Sequence, residues 1–483
     1  MSGIVLLGLG PGAPDQITRE AWELISSTSE IWLRTRQHPA AAGLPQSVTI
    51  HSFDALYDTG ESFEAVYSAI VQKVLQLGRR PEGVIYAVPG HPFVAEATGT
   101  EILCRAVCEG LPVRVVGGLS FLEATFSALG FDPFPRLTLC DALTLGRAHI
   151  PSFPPDTPAL IAQLNSKQVA AEVKAVLQTT YPDDHAVSLV HAVGTAEQRI
   201  ESLALSEIDR SEYIGAVTCL FLPPLQQGTS LEALQEVVAH LRAPEGCPWD
   251  REQTHASLRR HLLEEAYEAI AAVDSGVAGA MREEFGDLLL QIMLNSQIAG
   301  ELGEFTLNDV TKGIHDKIIS RHPHIFGDLK LQGVESVLTN WERLKQSERD
   351  AKNGSGGLLD GVPLALPALG QAQEYQERAA RVGFDWPEVQ GVLDKVAEEI
   401  KEVESAADAE ALASEIGDLF FALVNLSRWK GIDAESALRA ANLRFKKRFA
   451  FIEQGARLRQ QRLSDLTIDE MEALWEEAKA SEG

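Results

Sequence analysis

The sequence predicts a multidomain protein in which an α/β region over residues 1–222 precedes two all-α regions, residues 230–344 and 362–480. The first region alternates short apolar runs with helix-like stretches, and glycine-rich loops follow several of those runs. From Ser230 onward the apolar residues recur at helical spacing only. An acidic pattern in the first helical stretch also returns in the second, which indicates an internal duplication.

The α/β region divides into two sheet-bearing halves. In the first half we predict strands near residues 4–7, 30–33, 83–88 and 112–116, with helices near residues 20–26, 62–78, 95–109 and 121–129. This alternation is typical of a largely parallel sheet whose functional loops lie at the strand ends. From Thr157 onward the stretches ALIAQLN, HAVSLVHAV, RIESLALSEI and YIGAVTCLFL predict a second sheet. Pro223 and Pro224, followed by QQGTS, predict a linker, and so does the polar, glycine-rich stretch at residues 345–360.

Composition narrows the partners and the location. The net charge of −27 disfavours nucleic acid and anionic membranes as partners, although bound divalent cations would still admit phosphorylated substrates. The five cysteines are scattered without a CxxC pair, which is typical of a reducing compartment. The amino-terminal stretch lacks the basic segment of a signal peptide, and no window has the apolar length of a membrane span. We therefore expect a cytoplasmic protein without a membrane partner.

The most informative stretch is residues 262–290, where acids recur three apart in two successive helices. Glu265 and Glu268 share a face of the first helix, and Glu284 and Asp287 share a face of the second. A short connection makes the two helices antiparallel neighbours, so the four carboxylates should meet. We expect the inward positions around them to be filled by apolar residues, namely Leu262, Leu263, Ala266, Ile270, Phe285, Leu288, Leu289 and Ile292. Grouped carboxylates repel one another, and Mg²⁺ or Mn²⁺ would relieve that repulsion.

A second copy strengthens the metal hypothesis. The acids Glu399, Glu402, Glu415 and Asp418 repeat the spacing of the first four, and both copies contain E-x-G-D followed by an apolar run. A lone ExxE is usually a solvated helix face. A di-iron carboxylate bundle is the rival metal site, but it needs Glu-x-x-His, which neither helix pair has. One further carboxylate in each copy, Glu264 or Glu398, could orient water or act as general base.

Basic and aromatic residues follow each acidic pair. Lys317 and Arg321 are four apart on a predicted helix, and Arg444 and Arg448 repeat that spacing beside Asn442. Cationic pairs near a metal–carboxylate cluster suit a triphosphate, although ordinary surface charge is the alternative. Trp475 is a possible base-stacking residue. We expect Trp249 to be a core residue rather than a stacking one.

The glycine-rich loops allow two interpretations. Gly8-x-Gly10-x-x-Ala13 with Glu30 downstream partly matches a dinucleotide fingerprint, but Pro11 removes a backbone N–H where a pyrophosphate would bind. The three stretches GLGPGAPDQIT, VIYAVPGHPF and VRVVGGLSFLEATFSALG instead resemble the tetrapyrrole (corrin/porphyrin) methylase family. That resemblance implies S-adenosyl-L-methionine (SAM) in a cleft between two α/β halves. The loop positions it assigns to the cofactor site are Gly8, Gly10, Pro11, Gly12, Pro89, Gly90, His91, Pro92, Gly118 and Ser120.

One departure from that family concerns the second loop. The family commonly has GDP there, whereas this sequence has Gly90-His91-Pro92. The departure leaves open both the methyl acceptor and methyl transfer itself. His91 could be a base, but an architectural or cofactor-contacting role is favoured.

The helical half resembles the two-repeat MazG nucleoside triphosphate pyrophosphohydrolases, and the whole chain resembles a methylase–MazG fusion. The motifs are CPWD, LEEAYE, EEFGDLLLQ and RHPHIF in the first copy, and VGFDW, EEIKEVE, SEIGDLFFALVNL and NLRFKKRF in the second. The resemblance implies a homodimer whose paired helices form the bundle. It also implies Mg²⁺-dependent cleavage of NTP to NMP and pyrophosphate, with Glu264, Glu265, Glu398 and Glu399 at the reacting centre.

Three hypotheses about function remain at this point. The first is an NTP pyrophosphohydrolase with a SAM-binding methyltransferase-like region. The second is a nucleotide- or SAM-sensing regulatory protein with little turnover, and the third is a tetrapyrrole methyltransferase. The two acidic copies also differ, because Glu283 precedes Glu284 whereas Ser414 precedes Glu415, and Asn425 and Asn442 occur in the second copy alone. We favour the second copy as the active one.

Overall fold

The computed structural model describes residues 3–59, 62–334, 336–337, 340–341, 343–344 and 357–481. The chain forms two compact units, Met1–Thr311 and Lys312–Gly483. Most of the predicted linker at residues 345–360 lies outside the described residues. Within the described part of the chain, no helix has both the length and the apolar character that crossing a membrane requires.

The first unit begins with a five-stranded parallel sheet in the order β3-β2-β4-β1-β5. Its strands are β1 (Ile4–Gly8), β2 (Glu30–Leu33), β3 (Thr49–Ser52), β4 (Val84–Val88) and β5 (Val113–Val116). Every residue of β1 is buried, as a central parallel strand covered on both faces requires. Our sequence analysis missed β3, an edge strand whose Thr-Ile-His-Ser sequence has little apolar character.

Helices cover both faces of this sheet. They are α1 (Arg19–Ser26), α2 (Asp54–Thr59), α3 (Phe63–Gly78), α4 (Ala97–Cys108) and α5 (Phe121–Leu129). Leu6 and Tyr86 pack with α3 and α4 on one face, while Leu7 and Ile31 pack with α1 on the other. The strands run parallel, so the loops after β1, β4 and β5 meet at one edge of the sheet.

A second five-stranded sheet follows in the order β6-β7-β10-β8-β9. Its strands are β6 (Thr138–Asp141), β7 (Ala159–Ala162), β8 (Ala186–His191), β9 (Arg199–Ala204) and β10 (Thr218–Leu222), accompanied by helices α6 (Ala142–Gly146) and α7 (Lys167–Leu177). Only β6 and β7 pair in parallel; the other neighbours are antiparallel. The predicted second sheet is therefore present, although the analysis did not identify β6 or α7.

The first unit continues with the helices α8 (Leu231–Arg242), α9 (Pro248–Arg251), α10 (His255–Ser275) and α11 (Ala278–Leu302). The Ser230 hydroxyl accepts a hydrogen bond from the Ala233 amide and donates one to Asp156, so the start of α8 is tied to the α/β region. Thr254 caps α10, and its side chain accepts a hydrogen bond from the Ser257 amide. Gly276 ends α10 in the left-handed conformation, which glycine adopts at little cost.

The helix α12 (Leu307–Arg321) spans the boundary between the units. The second unit is otherwise helical. It contains α13 (Pro323–Phe326), α14 (Ala368–Arg381), α15 (Val389–Ser405), α16 (Ala409–Trp429), α17 (Ala434–Leu458) and α18 (Ile468–Ala480). Helices α15 and α16 form a hairpin like that of α10 and α11, and α17 packs against α18.

One packing prediction was wrong. The positions expected to face inward on α10 and α11 include five exposed ones, namely Leu262, Leu263, Ile270, Phe285 and Ile292. The small core here is instead built by Val238, Leu258, Met293, Leu294 and Ile298, where α8 crosses the hairpin. The apolar stripe of this hairpin is wider than the surface that one neighbouring helix can cover, so part of it remains open.

Candidate functional site

The first acidic cluster lies between α10 and α11. Glu265, Glu268 and Glu284 each place a carboxylate oxygen within 4.8 Å of the others. The helical spacing of three brings Glu265 and Glu268 to one face of α10, and the hairpin sets that face against α11. The fourth predicted ligand, Asp287, is outside this tight group. The oxygens are of the kind and number that a hard divalent cation binds.

Charge repulsion is evident in this cluster. Burial and the nearby carboxylates of Asp287, Glu268 and Glu284 raise the pKa of Glu265 above its ordinary value. Desolvation, followed by Glu268, Glu283 and Asp287, raises the pKa of Glu284. Asp287 therefore contributes to the field of the cluster although it lies outside the tight group. A bound cation would remove the repulsion that these shifts report.

The second cluster lies between α15 and α16 and consists of Glu399, Glu415 and Asp418. Their oxygens obey the same 4.8 Å limit, and Glu402 is outside the group. Burial, followed by the charge of Glu399, raises the pKa of Glu402, so Glu402 still lies within the field of the cluster. Both acidic copies thus bring three of their four predicted ligands together.

The second cluster differs in containing a buried carboxylate with a lysine beside it. Glu399 is 4% exposed. Its Oε1 accepts a hydrogen bond from Lys395 Nζ at 2.7 Å, while Oε2 has no hydrogen-bond partner among the described residues. Lys395 also donates to Glu398 at 3.0 Å. At the equivalent position, the first copy has His261, which lies 3.8 Å from Glu264. An unpartnered buried carboxylate oxygen costs roughly 1–3 kcal/mol, and a bound cation would offset that cost.

Each helical copy pairs an arginine with a tryptophan. The Arg448 guanidinium of α17 lies 5.5 Å from the Trp475 ring of α18, and the Phe445 ring lies 5.4 Å from Trp475. In the first copy, the Arg321 guanidinium lies 5.7 Å from the Trp341 ring. We had not identified Trp341. Its signal in the sequence is the stretch Trp-Glu-x-x-Lys, which begins at Trp341 and again at Trp475.

The remaining predicted nucleotide-binding residues lie on the same helices. Lys317 precedes Arg321 on α12, and Asn442 and Arg444 precede Arg448 on α17. Asn442 and Arg444 are exposed. By contrast, the prediction that Trp249 is a core residue was wrong, because its side chain is 61% exposed. Trp249 belongs to the single-turn helix α9, which is too short to bury so large a ring.

A charged network in the second unit was also missed. Asp385, within the VGFDW turn, receives hydrogen bonds from Arg428 at 2.5 and 3.0 Å and from Trp429 Nε1 at 3.0 Å. Arg428 also donates to the Asn425 side-chain oxygen at 2.7 Å. The turn before the hairpin is thereby fixed to the end of α16. Asn425, one of the two asparagines that occur in the second copy alone, is held by this network.

Glycines of the α/β region bring the loops after β1, β4 and β5 into direct backbone contact. A Cβ on Gly8 would lie 2.5 Å from both the Gly118 nitrogen and the Gly90 oxygen, so no larger residue fits there. Gly10 and Gly90 exchange backbone hydrogen bonds of 2.8 and 3.3 Å, and both have the positive φ that favours glycine. A Cβ added to Gly12 would lie 2.4 Å from the Gly194 oxygen.

The loops border a cavity of about 710 Å³. Three of the predicted cofactor residues line it, namely Pro11, Pro89 and Gly90. Ser120 instead caps α5, and the His91 ring accepts a hydrogen bond from the Phe93 amide at 3.1 Å. A cavity of this size, walled by glycine loops and apolar side chains, fits a cofactor such as SAM. Its polar wall includes Arg34, His38, Tyr67, Glu96, Gln163 and Asn165, which the sequence motifs did not reveal.

Family models match each of these regions. A model described as Tetrapyrrole (Corrin/Porphyrin) Methylases matches residues 3–209. The MazG nucleotide pyrophosphohydrolase domain matches residues 253–326, and a Phosphoribosyl-ATP pyrophosphohydrolase model matches residues 371–444. The two helical copies thus match different pyrophosphohydrolase models.

Relatives that are matched over almost their entire length show which family the chain belongs to. The MazG protein of Thermotoga maritima, named nucleoside triphosphate pyrophosphohydrolase/pyrophosphatase, is 42% identical over 53% of this chain and 98% of its own. The chain belongs to the MazG family. The nucleoside triphosphate pyrophosphohydrolase of Escherichia coli K12 is 41% identical over 52% of this chain and 98% of its own. The uncharacterized protein YabN of Bacillus subtilis is 40% identical over 99% of both chains, so this MazG protein shares its methylase-like region with YabN. The resemblances found in the motifs are confirmed.

The Asp385 network yields a prediction about stability. Hydrogen bonds from Arg428 hold the pKa of Asp385 below its ordinary value. The carboxylate therefore stabilises the fold when the pH is above the ordinary pKa, and this stabilisation is lost as the pH falls through the lowered pKa. Asp385→Asn should therefore cost the second unit about 1–3 kcal/mol at neutral pH. Urea denaturation followed by tryptophan fluorescence measures this cost. The difference between wild type and variant should shrink in acid.

The matched control is Asp394→Asn, a change on α15 where the carboxylate accepts one hydrogen bond, from Gln390, among the residues that the structure describes. This variant should shift stability by at most about 0.5 kcal/mol. Equal effects of the two substitutions, or a cost for Asp385→Asn that does not depend on pH, would contradict the assigned role.

Proposed function

We propose that this MazG protein is an NTP pyrophosphohydrolase that releases NMP and pyrophosphate, and that its α/β region binds SAM. The observation that carries the first part is the pair of acidic clusters, each with three carboxylates within 4.8 Å. The membership of the MazG family supports the same conclusion. Purified protein with Mg²⁺ and a panel of NTPs should release pyrophosphate. Release of orthophosphate would refute the pyrophosphohydrolase proposal, and binding of NTP without turnover would favour the sensing hypothesis instead.

The metal would be held by Glu265, Glu268, Glu284 and Asp287 in the first copy, and by Glu399, Glu402, Glu415 and Asp418 in the second. Mg²⁺ bound there would neutralise phosphate oxygens and acidify a water molecule. Mn²⁺ has similar ligand preferences. The unpartnered Oε2 of Glu399 supports this assignment, because a buried carboxylate oxygen needs a positive partner.

The protein's own side chains would bind and orient the nucleotide. Glu398, positioned by Lys395 at 3.0 Å, would accept a hydrogen bond from the attacking water, as Glu264 would in the first copy. Arg444 and Arg448, or Lys317 and Arg321, would bind the departing pyrophosphate. Trp475 would stack on the base, with Asn442 as a further nucleotide contact. Trp341 would take the place of Trp475 in the first copy.

We assign turnover to the second copy, as we favoured from the sequence. Its key carboxylate is buried and lies beside a lysine, whereas Glu265 is half-buried and its copy has no lysine at the equivalent position. Burial strengthens the interaction of a carboxylate with a cation because water screens it less.

Paired substitutions test this assignment. Glu399→Gln should lower the rate of pyrophosphate release at least about a hundredfold, because it removes a ligand charge at the reacting centre. Glu265→Gln, the matched change in the first copy, should lower it less than about tenfold. Steady-state kinetics with each single variant and the double variant would measure this. A larger loss of rate from Glu265→Gln than from Glu399→Gln would show that the first copy is the catalytic one.

SAM binding has its own test. Gly8→Ala adds a Cβ that would meet two backbone atoms at 2.5 Å, so the three loops must separate. We expect the SAM dissociation constant, measured by calorimetry on the full chain, to rise at least about tenfold. Gly215→Ala is the control, since an added Cβ there meets nothing within 4 Å. A far-ultraviolet circular dichroism spectrum and a thermal unfolding curve like those of wild type would show that Gly8→Ala is folded, and unchanged SAM affinity would refute the loop assignment.

We also propose that the hairpins pair with those of a second copy to form a homodimer. Phe285 of α11 is 51% exposed and Phe420 of α16 is 56% exposed, and each lies in an apolar stripe beside an acidic cluster. Contiguous exposed apolar surface of this kind marks interaction sites. The proposed dimer would bury both stripes.

Phe420→Asp tests the dimer. Burying a phenylalanine contributes about 1.5–3 kcal/mol, so we expect the dimer dissociation constant to rise at least about tenfold. Light scattering over a range of concentrations measures the change. Val107→Asp, at an exposed apolar position of α4, should leave the association unchanged. A monomeric wild type, or equal effects of both variants, would refute the proposal.

A further inference from the structure

The cavity of the α/β region has few charged residues in its wall. Among the described residues that line it, only Arg34 and Glu96 carry a formal charge. Burial lowers the pKa of His38 and raises the pKa of the Cys219 thiol to about 11, so both are neutral near pH 7. The remaining lining residues are apolar or are uncharged amides, hydroxyls and glycine.

The two charges neutralise each other within the cavity wall. The Glu96 side chain is 2% exposed and accepts a hydrogen bond from Arg34 Nη1. Its other oxygen accepts one from the Thr98 amide at 3.0 Å. Arg34 also donates to the hydroxyls of Tyr57 and Tyr67, each at 3.0 Å. The cavity therefore offers no surplus positive charge.

The balance of charge in the cavity limits which methyl acceptors it can bind. Tetrapyrrole intermediates carry several carboxylates, and each one that leaves water needs a cation or several hydrogen-bond donors. The desolvation cost of an unpaired ion is several kcal/mol even after the protein relaxes. Because the single guanidinium is already paired with Glu96, the several carboxylates of a tetrapyrrole could not all find a cation in this cavity.

The polar groups that remain available suit a different ligand. Arginine has five N–H donors. Glu96, Tyr57 and Tyr67 occupy three of those of Arg34, and the side chain is 20% exposed. Gln163 and Asn165 add amide groups, while Phe121 and Val193 supply apolar surface. This set recognises a carbonyl or hydroxyl oxygen on an otherwise apolar molecule.

We propose that the cavity takes a compact, uncharged methyl acceptor with a carbonyl or hydroxyl oxygen, and that it excludes polycarboxylate tetrapyrroles. This inference rests on the proposed binding of SAM to the same region. In the transfer, the sulfur–methyl bond of SAM breaks and a bond from methyl to an oxygen or nitrogen of the acceptor forms. The acceptor's proton leaves to water, and S-adenosylhomocysteine is the second product.

The first experiment uses uroporphyrin as a fluorescent polycarboxylate probe of the full chain. Wild type should show no saturable change in fluorescence anisotropy, with or without SAM. Ala97→Lys adds a cation at a position that lines the cavity, and it should bind uroporphyrin at least about tenfold more tightly than the neutral control Ala97→Gln. Glu96→Gln removes the negative charge that neutralises Arg34, and it should also strengthen the binding of uroporphyrin. Saturable binding by wild type would overturn the proposal, and so would binding by Ala97→Lys that is no tighter than that of Ala97→Gln.

The second experiment identifies the product class. The full chain is incubated with methyl-labelled SAM and a small-molecule extract, unreacted SAM is removed on a cation-exchange resin, and the products are then separated on an anion-exchange resin. Label in the unretained, uncharged fraction supports the proposal, whereas label in the retained polycarboxylate fraction overturns it. SAM affinity is measured separately by calorimetry. Loss of SAM binding alone would refute the proposed cofactor, while the uroporphyrin titrations would still decide the acceptor class.

Discussion

Repulsion between carboxylates held close together is the constraint on which both helical hairpins depend. A helical spacing of three aligns two acids on each helix, and the hairpin then opposes the two pairs. In each copy three oxygens lie within 4.8 Å of one another, and the raised pKa values of Glu265, Glu284 and Glu402 report the cost. A structure that accepts this cost without a bound cation gives up stability, and a cation that enters recovers it. Cation binding at the proposed sites would therefore stabilise the fold of the hairpins.

The two copies resolve that constraint differently. In the second, Lys395 neutralises one oxygen of a buried glutamate and leaves the other unpartnered among the described residues. In the first, the acids are more accessible, so water screens part of their repulsion. Duplication thus preserved the spacing of the acids while burial and the neighbouring base diverged. The different family models matched by the two regions agree with this divergence.

The sequence predicted those features that follow from periodicity and from loop chemistry. Strand–helix alternation placed β1, β2, β4 and β5, and the acid spacing brought together three ligands in each hairpin. It did not predict which apolar residues would be buried. Leu263 and Phe285 have the helical spacing of core residues, but burial depends on what covers a stripe, which periodicity does not encode. The Arg34–Glu96 and Asp385–Arg428 pairs were missed for a related reason. Each joins residues more than 40 positions apart, with no local pattern that marks them.

The exposed apolar stripes on α11 and α16 also affect what a single, newly made chain can contact. In the proposed dimer, completion of each hairpin by a second copy would make the stability of the fold depend on protein concentration, because association favours the folded chains by mass action. A newly made chain would display Phe285 and Phe420 to any apolar surface it meets. The large negative charge of the protein then has a protective effect, because chains of like charge repel one another until their apolar faces align.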